Sequence, residues 1–288
     1  MHLGKREVLS MNNVHLVIVL IVLFCGISAH GATPGLNCGI AKRRNMRKIK
    51  GVTVAHPYPW LVGIIQAPWT SKTAHTVMCL GSVISRRDVL TAAHCVTKKL
   101  WPVSVVKDMD KLFCDSNDEL EVSESFTHPM YLSKKPWYDF AVLRLTKQVD
   151  IMPVCLPSSN DPLTKYGIAT VFNKTTCSQQ DIVMPTFKTL ECIRMLTRNA
   201  YFFEQTVRTL EAGFCAGYLH GPEDTCQGDS GGPFQAPTVK THRYTILGVT
   251  SFGFGCRLEN TLGVYGDVRD VVWWIRKVAT AKTFVRGE

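Results

Sequence analysis

The stretch EDTCQGDSGGP, residues 223–233, decides how the chain reads. It sets Ser230 between Asp229 and the pair Gly231–Gly232, just after Cys226. A serine hydroxyl is a weak nucleophile near neutral pH, so the turn has chemical meaning only if the rest of the chain supplies a base. That base needs an acid to hold its tautomer and balance its charge. Two stretches upstream qualify. LTAAHC (90–95) ends an apolar run on His94 beside Cys95, and WYDFAVLRL (137–145) places Asp139 at the head of an otherwise apolar strand. Burying a carboxylate there costs several kcal/mol unless a partner is waiting. Singly, neither residue separates a catalytic role from a structural one.

The remainder of the sequence sets the frame. Lys5 and Arg6 precede the apolar run VHLVIVLIVLFC (14–25), which leads into GISAHGA. That order is expected for a secretory signal peptide cut between Ala29 and Ala32, and the run is short for a membrane anchor. Of eleven cysteines, removal of Cys25 with the signal leaves ten, enough for five bridges in an oxidising compartment. No CxxC pair or His-rich spacing points to zinc. The formal charge of +10 is concentrated at one end: seven of 33 basic residues but one of 23 acidic ones lie within positions 1–48, leaving +4 beyond them. A surface of that charge is ordinary for a chain of this size and argues against nucleic-acid binding.

Between about 49 and 270, short β-rich runs (LVGII, GSVIS, FAVLRL, YTILGVTSF) alternate with Pro, Gly, Asn and Asp clusters, the pattern of an antiparallel sandwich or barrel. The period then changes. In VRDVVWWIRKVATA, Val271, Trp274, Ile275 and Val278 fall at i, i+3, i+4 and i+7, which predicts a C-terminal helix with one apolar face.

Taken together, TAAHC, the Asp-led strand and CQGDSGGP, in that order, resemble the trypsin/chymotrypsin family of serine proteases over residues 49 to about 281. The resemblance implies an all-β fold of two antiparallel six-stranded β-barrels with a C-terminal helix. It implies Ser230 as nucleophile, His94 as general base and acid, Asp139 as the orienting acid, and the N–H groups of Gly228 and Ser230 as an oxyanion hole. Asp224, six residues before the serine, falls at the floor of the primary pocket. Thr225, Ser251, Phe252, Gly253 and Gly263 then line it, and the cut is expected after Arg or Lys. Cleavage between Lys48 and Ile49 would free an α-amine to pair with Asp229, a zymogen switch. The expected organisation is a signal peptide at 1–31, an activation propeptide at 32–48 and a serine protease domain at 49–288.

The same resemblance pairs Cys79 with Cys95, Cys192 with Cys215, and Cys226 with Cys256. Cys38 with Cys155 would tether the cut propeptide, and Cys114 with Cys177, on loops of one rim, completes five bridges. The sequence departs from the family's pattern in places. The usual Gly-Trp-Gly stretch is replaced by IATVFNKTT (168–176), and Ala236 stands where a cysteine of a common bridge is expected. Val52 replaces a glycine of the activation motif, Phe252 a tryptophan, and Leu262 a residue linked to sodium activation. Asn173-Lys174-Thr175 is a glycosylation sequon. The expected activity is that of a secreted serine endopeptidase with no cofactor and no metal. Its expected partners are protein substrates, an activating protease and protein inhibitors. The alternative is a catalytically silent homologue acting as a binding or cofactor protein.

Overall fold

The computed structural model describes residues 37–41, 45–66, 77–97, 103–106, 119–133, 137–173, 178–196, 212–219, 229–238, 241–253 and 262–280. Residues 1–36, and with them the expected signal peptide, lie outside the described residues, as do Cys114, Cys177, Asp224, Thr225, Cys226, Gly228 and Cys256. The first strands are β1 (Asn45–Ile49), β2 (Val52–His56), β3 (Leu61–Gln66), β4 (Val77–Val83), β5 (Asp88–Thr91), β6 (Val103–Val106), β7 (Glu119–Thr127) and β8 (Ala141–Leu145). The later ones are β9 (Tyr166–Asn173), β10 (Ser178–Phe187), β11 (Gly213–Ala216), β12 (Pro233–Pro237), β13 (Tyr244–Phe252) and β14 (Gly263–Asp267). Among the described residues three helices punctuate them: α1 (His94–Thr97), α2 (Thr189–Leu196) and α3 (Val268–Thr280).

Two closed six-stranded antiparallel barrels result, ordered β3-β4-β5-β8-β7-β6 and β10-β11-β14-β13-β12-β9. Closure leaves no open sheet edge in either barrel. The fold is chymotrypsin-like, as the sequence implies. The run YTILGVTSF is β13, and FAVLRL covers β8. The C-terminal helix forms where its period predicts. Val271 and Ile275 are fully buried, Trp274 nearly so, and Val278 packs on the core. Asp267 caps α3 by accepting the N–H of Arg269 at 3.0 Å, as an N-cap carboxylate does.

The barrels are docked by aromatic and amide side chains at one seam. Trp60, fully buried ahead of β3, donates its indole N–H to Gln235 of β12 at 2.8 Å, and Gln235 passes a hydrogen bond to Thr170 of β9. The Tyr58 N–H donates to Gln179 of β10 at 3.1 Å. Tyr244 of β13 packs edge-on against Tyr58, 5.0 Å between centroids, and its hydroxyl donates to the Thr53 carbonyl in β2. Residues 37–41 lie against this side. The Gly39 N–H donates to the Pro153 carbonyl and the Gly39 carbonyl accepts the Tyr244 N–H, and Cys38 is bridged to Cys155.

β1 and β2 form a hairpin outside both barrels, with Ile49 opposite Val52 and Lys48 opposite Thr53. Its two turn residues, Lys50 and Gly51, both have left-handed φ (50° and 81°), the requirement of a type I′ turn. The Lys50 ammonium lies 3.7 Å from the centroid of the Tyr218 ring, a cation–π contact between the turn and the second barrel.

Two buried polar groups hold the elements around the candidate site. All five positions of β8 are buried, including Arg144. Its Nε donates to Asp88 of β5 at 2.9 Å and its guanidinium donates to the Val278 carbonyl at the end of α3, so one cation ties the first barrel to the helix. His128 is also buried. Its backbone N–H donates to Phe140, its Nδ1 accepts the Met130 N–H, its ring stacks on Tyr138, and Nε2 has no hydrogen-bond partner. Burial holds its pKa below the ordinary histidine value.

Each group yields an expected outcome. Arg144→Met leaves Asp88 buried beside no cation and should lower stability by about 3–5 kcal/mol, whereas adding Asp88→Val should recover most of it in urea unfolding. His128 is neutral when folded, with a pKa below that of the unfolded chain. Its contribution is therefore fully present above pH 6.5 and is lost as pH falls through the depressed folded value. His128→Asn should accordingly flatten the dependence of the urea midpoint on pH below 6.5, without changing its slope above pH 7.

Candidate active site

Asp139 lies two residues before β8 and is 2% exposed. Its buried carboxylate is met by three donors. The His94 backbone N–H reaches Oδ1 at 2.9 Å, the His94 ring Nδ1 lies 2.7 Å from Oδ2, and the Ser251 hydroxyl donates to Oδ2 at 2.6 Å. A carboxylate only accepts, so Nδ1 carries the proton and Nε2 is left as the basic nitrogen. The histidine side chain is about one-third exposed and its Nε2 lies 3.7 Å from Cys95 Sγ, while the acid behind it is dry.

Local sequence explains the placement. Ala92 and Ala93 are fully buried and small, which lets the chain turn sharply into α1 with His94 as its first residue. Cys95 is bridged to Cys79 of β4, anchoring that turn to the barrel wall. Cys79, His94 and Cys95 cluster within metal-ligand reach of one another, but both sulfurs are consumed in the bridge and offer no thiolate. Tyr131, close to Asp139 and hydrogen-bonded with Thr97, is held above the usual phenol range, chiefly by burial.

Ser230 sits in a turn clamped by both barrels. The Leu80 N–H of β4 donates to the Ser230 carbonyl at 2.8 Å, while the Gly231 N–H donates to the Thr250 carbonyl of β13 at 2.7 Å. Gly231 has φ +81°, and a Cβ there would stand 2.2 Å from the Thr91 hydroxyl and 2.3 Å from the Leu80 carbonyl. Only glycine fits this position. Leu80 follows Cys79 directly, so the backbone grip on Ser230 and the bridge beside His94 are consecutive residues of one strand.

The other expected residues fall as follows. Phe252 ends β13 with Gly253 directly after it, and Phe252 pairs with Val264, next to Gly263 at the head of β14. Gly263 pairs with Ala216, so three strand ends converge here. Lys48 is exposed in β1, and Ile49 is half-buried in the uncut hairpin. Asp229 is buried and accepts the Phe172 N–H of β9 at 3.3 Å. Bridges Cys38–Cys155, Cys79–Cys95 and Cys192–Cys215 are present. Asn173 ends β9 opposite Ser178, at the tip of the β9–β10 pair. Sequence reading placed Ser251 in a pocket wall and missed its hydroxyl bond to Asp139. The two residues are 112 positions apart, and no local pattern signals a contact made only when the barrels dock.

Comparison with known proteins agrees with this geometry. The family model described as Trypsin matches residues 52–275. The clotting factor G beta subunit of Tachypleus tridentatus is 28% identical over 250 residues, covering 79% of this chain and 78% of its own. The venom serine protease Bi-VSP of Bombus ignitus is likewise 28% identical, over 252 residues, covering 81% and 68%. With two six-stranded barrels, a buried acid on a histidine and a glycine-gripped serine, matched along most of its length, the chain belongs to the trypsin family and is a serine endopeptidase.

Proposed function

We propose that this chain is a secreted zymogen whose mature form cuts peptide bonds after Arg or Lys. The observation that carries the catalytic assignment is the buried Asp139 carboxylate on Nδ1 of His94, which leaves Nε2 as the basic nitrogen. In this reading Ser230 Oγ attacks the scissile carbonyl carbon as its proton passes to Nε2. The carbonyl oxygen takes the negative charge against the N–H groups of Gly228 and Ser230. Collapse of the tetrahedral intermediate expels the amine, protonated by His94, and leaves an acyl-serine. Water, deprotonated by His94, repeats the attack, releases the acid and restores the serine. Asp139 accepts from its three donors throughout and holds the charged imidazole without taking its proton.

Asp224 supplies the preference for a cationic side chain, with Thr225, Ser251, Phe252, Gly253 and Gly263 forming the pocket. Residues 1–31 are the signal peptide, 32–48 the propeptide and 49–288 the protease domain. Cleavage after Lys48 supplies the Ile49 amine as counter-ion to buried Asp229. The Cys38–Cys155 bridge supports a two-chain product, because it holds the propeptide to the domain. Two further bridges, Cys226–Cys256 and Cys114–Cys177, and a glycan at Asn173 complete an extracellular protein. Among the described residues no helix is long and apolar enough to cross a membrane.

The decisive experiment uses recombinant chain cut after Lys48, with Ser230→Ala and Asp224→Ser versions, on a mixed peptide library. Cuts after Arg or Lys should appear with the parent, vanish with Ser230→Ala, and lose their basic preference with Asp224→Ser. A verified Ile49 terminus with no Ser230-dependent cutting would refute the assignment. The activation hairpin gives a second test. A cation–π contact at an exposed site is worth about 0.5–1 kcal/mol, so losing it should raise the open hairpin population roughly two- to fivefold. Tyr218→Leu should therefore speed cleavage after Lys48 by an added trypsin-like protease by that factor, while Tyr218→Phe, which keeps the ring, should match the parent.

A further inference from the structure

A groove of about 630 Å³ lies away from the candidate site, where α2 meets the chain entering β9. Leu163 and Leu190 make its apolar surface, and Leu190 is 69% exposed. Around them stand Lys165, Lys188 and Arg194. Glu191 also lines the groove, one turn before Arg194, and offsets one of the three cations. Among the described residues neither Lys165 nor Lys188 has a carboxylate within ion-pair distance. The Thr164 hydroxyl oxygen, on the same wall, is buried with no hydrogen-bond partner. The groove thus offers net positive charge, an uncovered leucine and an unused polar atom.

Its position gives it a use. The opposite face of α2, carrying Cys192, Ile193 and Met195, packs in one cluster with Phe252, the last residue of β13. The groove is therefore separated from the strand end beside Ser251 by at least the width of α2, about 10–12 Å. An extended chain needs at least about three or four residues to cover that.

We propose that this groove is a substrate-docking site, taking an acidic segment with a leucine-like side chain that belongs to the protein substrate and lies a few residues from the cut. The apolar side chain sits between Leu163 and Leu190, and its flanking carboxylates face Lys165, Lys188 and Arg194. The assignment of the segment to the substrate rests on the protease reading given above. The binding chemistry of the groove does not.

Two measurements separate those parts. The full chain carrying Ser230→Ala is titrated with a fluorescein-labelled peptide, Asp-Glu-Leu-Glu-Asp, by anisotropy. Expected is saturable binding that weakens at least tenfold with Lys165→Glu plus Lys188→Glu, with Leu190→Ser, or on raising salt from about 20 to 300 mM, as screened surface charges require. An unaltered thermal midpoint confirms that the variants are folded. Equal binding by parent and variants, or equal binding of Gly-Ser-Gly-Ser-Gly, overturns the site. The activated chain is then given two substrates with one shared cleavage sequence, extended on either side by the acidic or the Gly-Ser segment. A KM several-fold lower for the acidic one, erased by Lys165→Glu plus Lys188→Glu while cleavage of the Gly-Ser substrate is unchanged, supports docking. Equal KM values overturn it, and cutting of neither refutes the protease reading while the anisotropy result still decides the groove.

Discussion

A carboxylate sealed from water must be met by donors, and the site is organised around meeting Asp139. Two of its three donors come from His94, which the first barrel carries, and the third from Ser251 on β13 of the second. Neither barrel alone satisfies the acid. Docking therefore does more than bury apolar surface, because it completes the hydrogen bonds that fix the tautomer of the histidine. The seam through Trp60, Tyr58 and Tyr244 sets the distance across which Ser251 must reach.

The serine turn repeats the logic with backbone groups. Leu80 of the first barrel grips the carbonyl of Ser230, and Thr250 of the second grips the N–H of Gly231. Residues neighbouring those grips carry the side-chain chemistry: Cys79 precedes Leu80 and is bridged beside His94, while Ser251 follows Thr250. Ser251 and the bridge beside His94 are thus each one residue from a backbone anchor. Small displacements of one barrel against the other move all of them together, which is how rigid strands hold reacting groups within tolerances of a fraction of an ångström.

Much of this was legible in the sequence because it is local. The glycines around Ser230, the small alanines before His94 and the period of the C-terminal helix each carry a short-range physical demand. Asp139 was legible as an anomaly, an acid leading a mostly apolar strand. What could not be read were contacts across the barrel seam. Ser251 and Asp139 meet over 112 positions, and Arg144 reaches the helix end over 134, without a periodic pattern to announce either. Arg144 in particular sits inside FAVLRL as if it were an outward-facing strand residue. Only the position of Asp88 on the neighbouring strand, with the helix end behind it, explains why it points inward.

The Cys38–Cys155 bridge has a consequence for what happens after the hairpin is cut. On the zymogen reading, severing the bond after Lys48 frees β1 from β2 without letting it diffuse away. A strand leashed by only a few residues re-pairs as though present at an effective concentration of order millimolar. The detached strand is then a permanent tethered competitor for the surface it left. On that reading, how fully β1 and β2 separate after the cut depends on the length of that leash as well as on the cut.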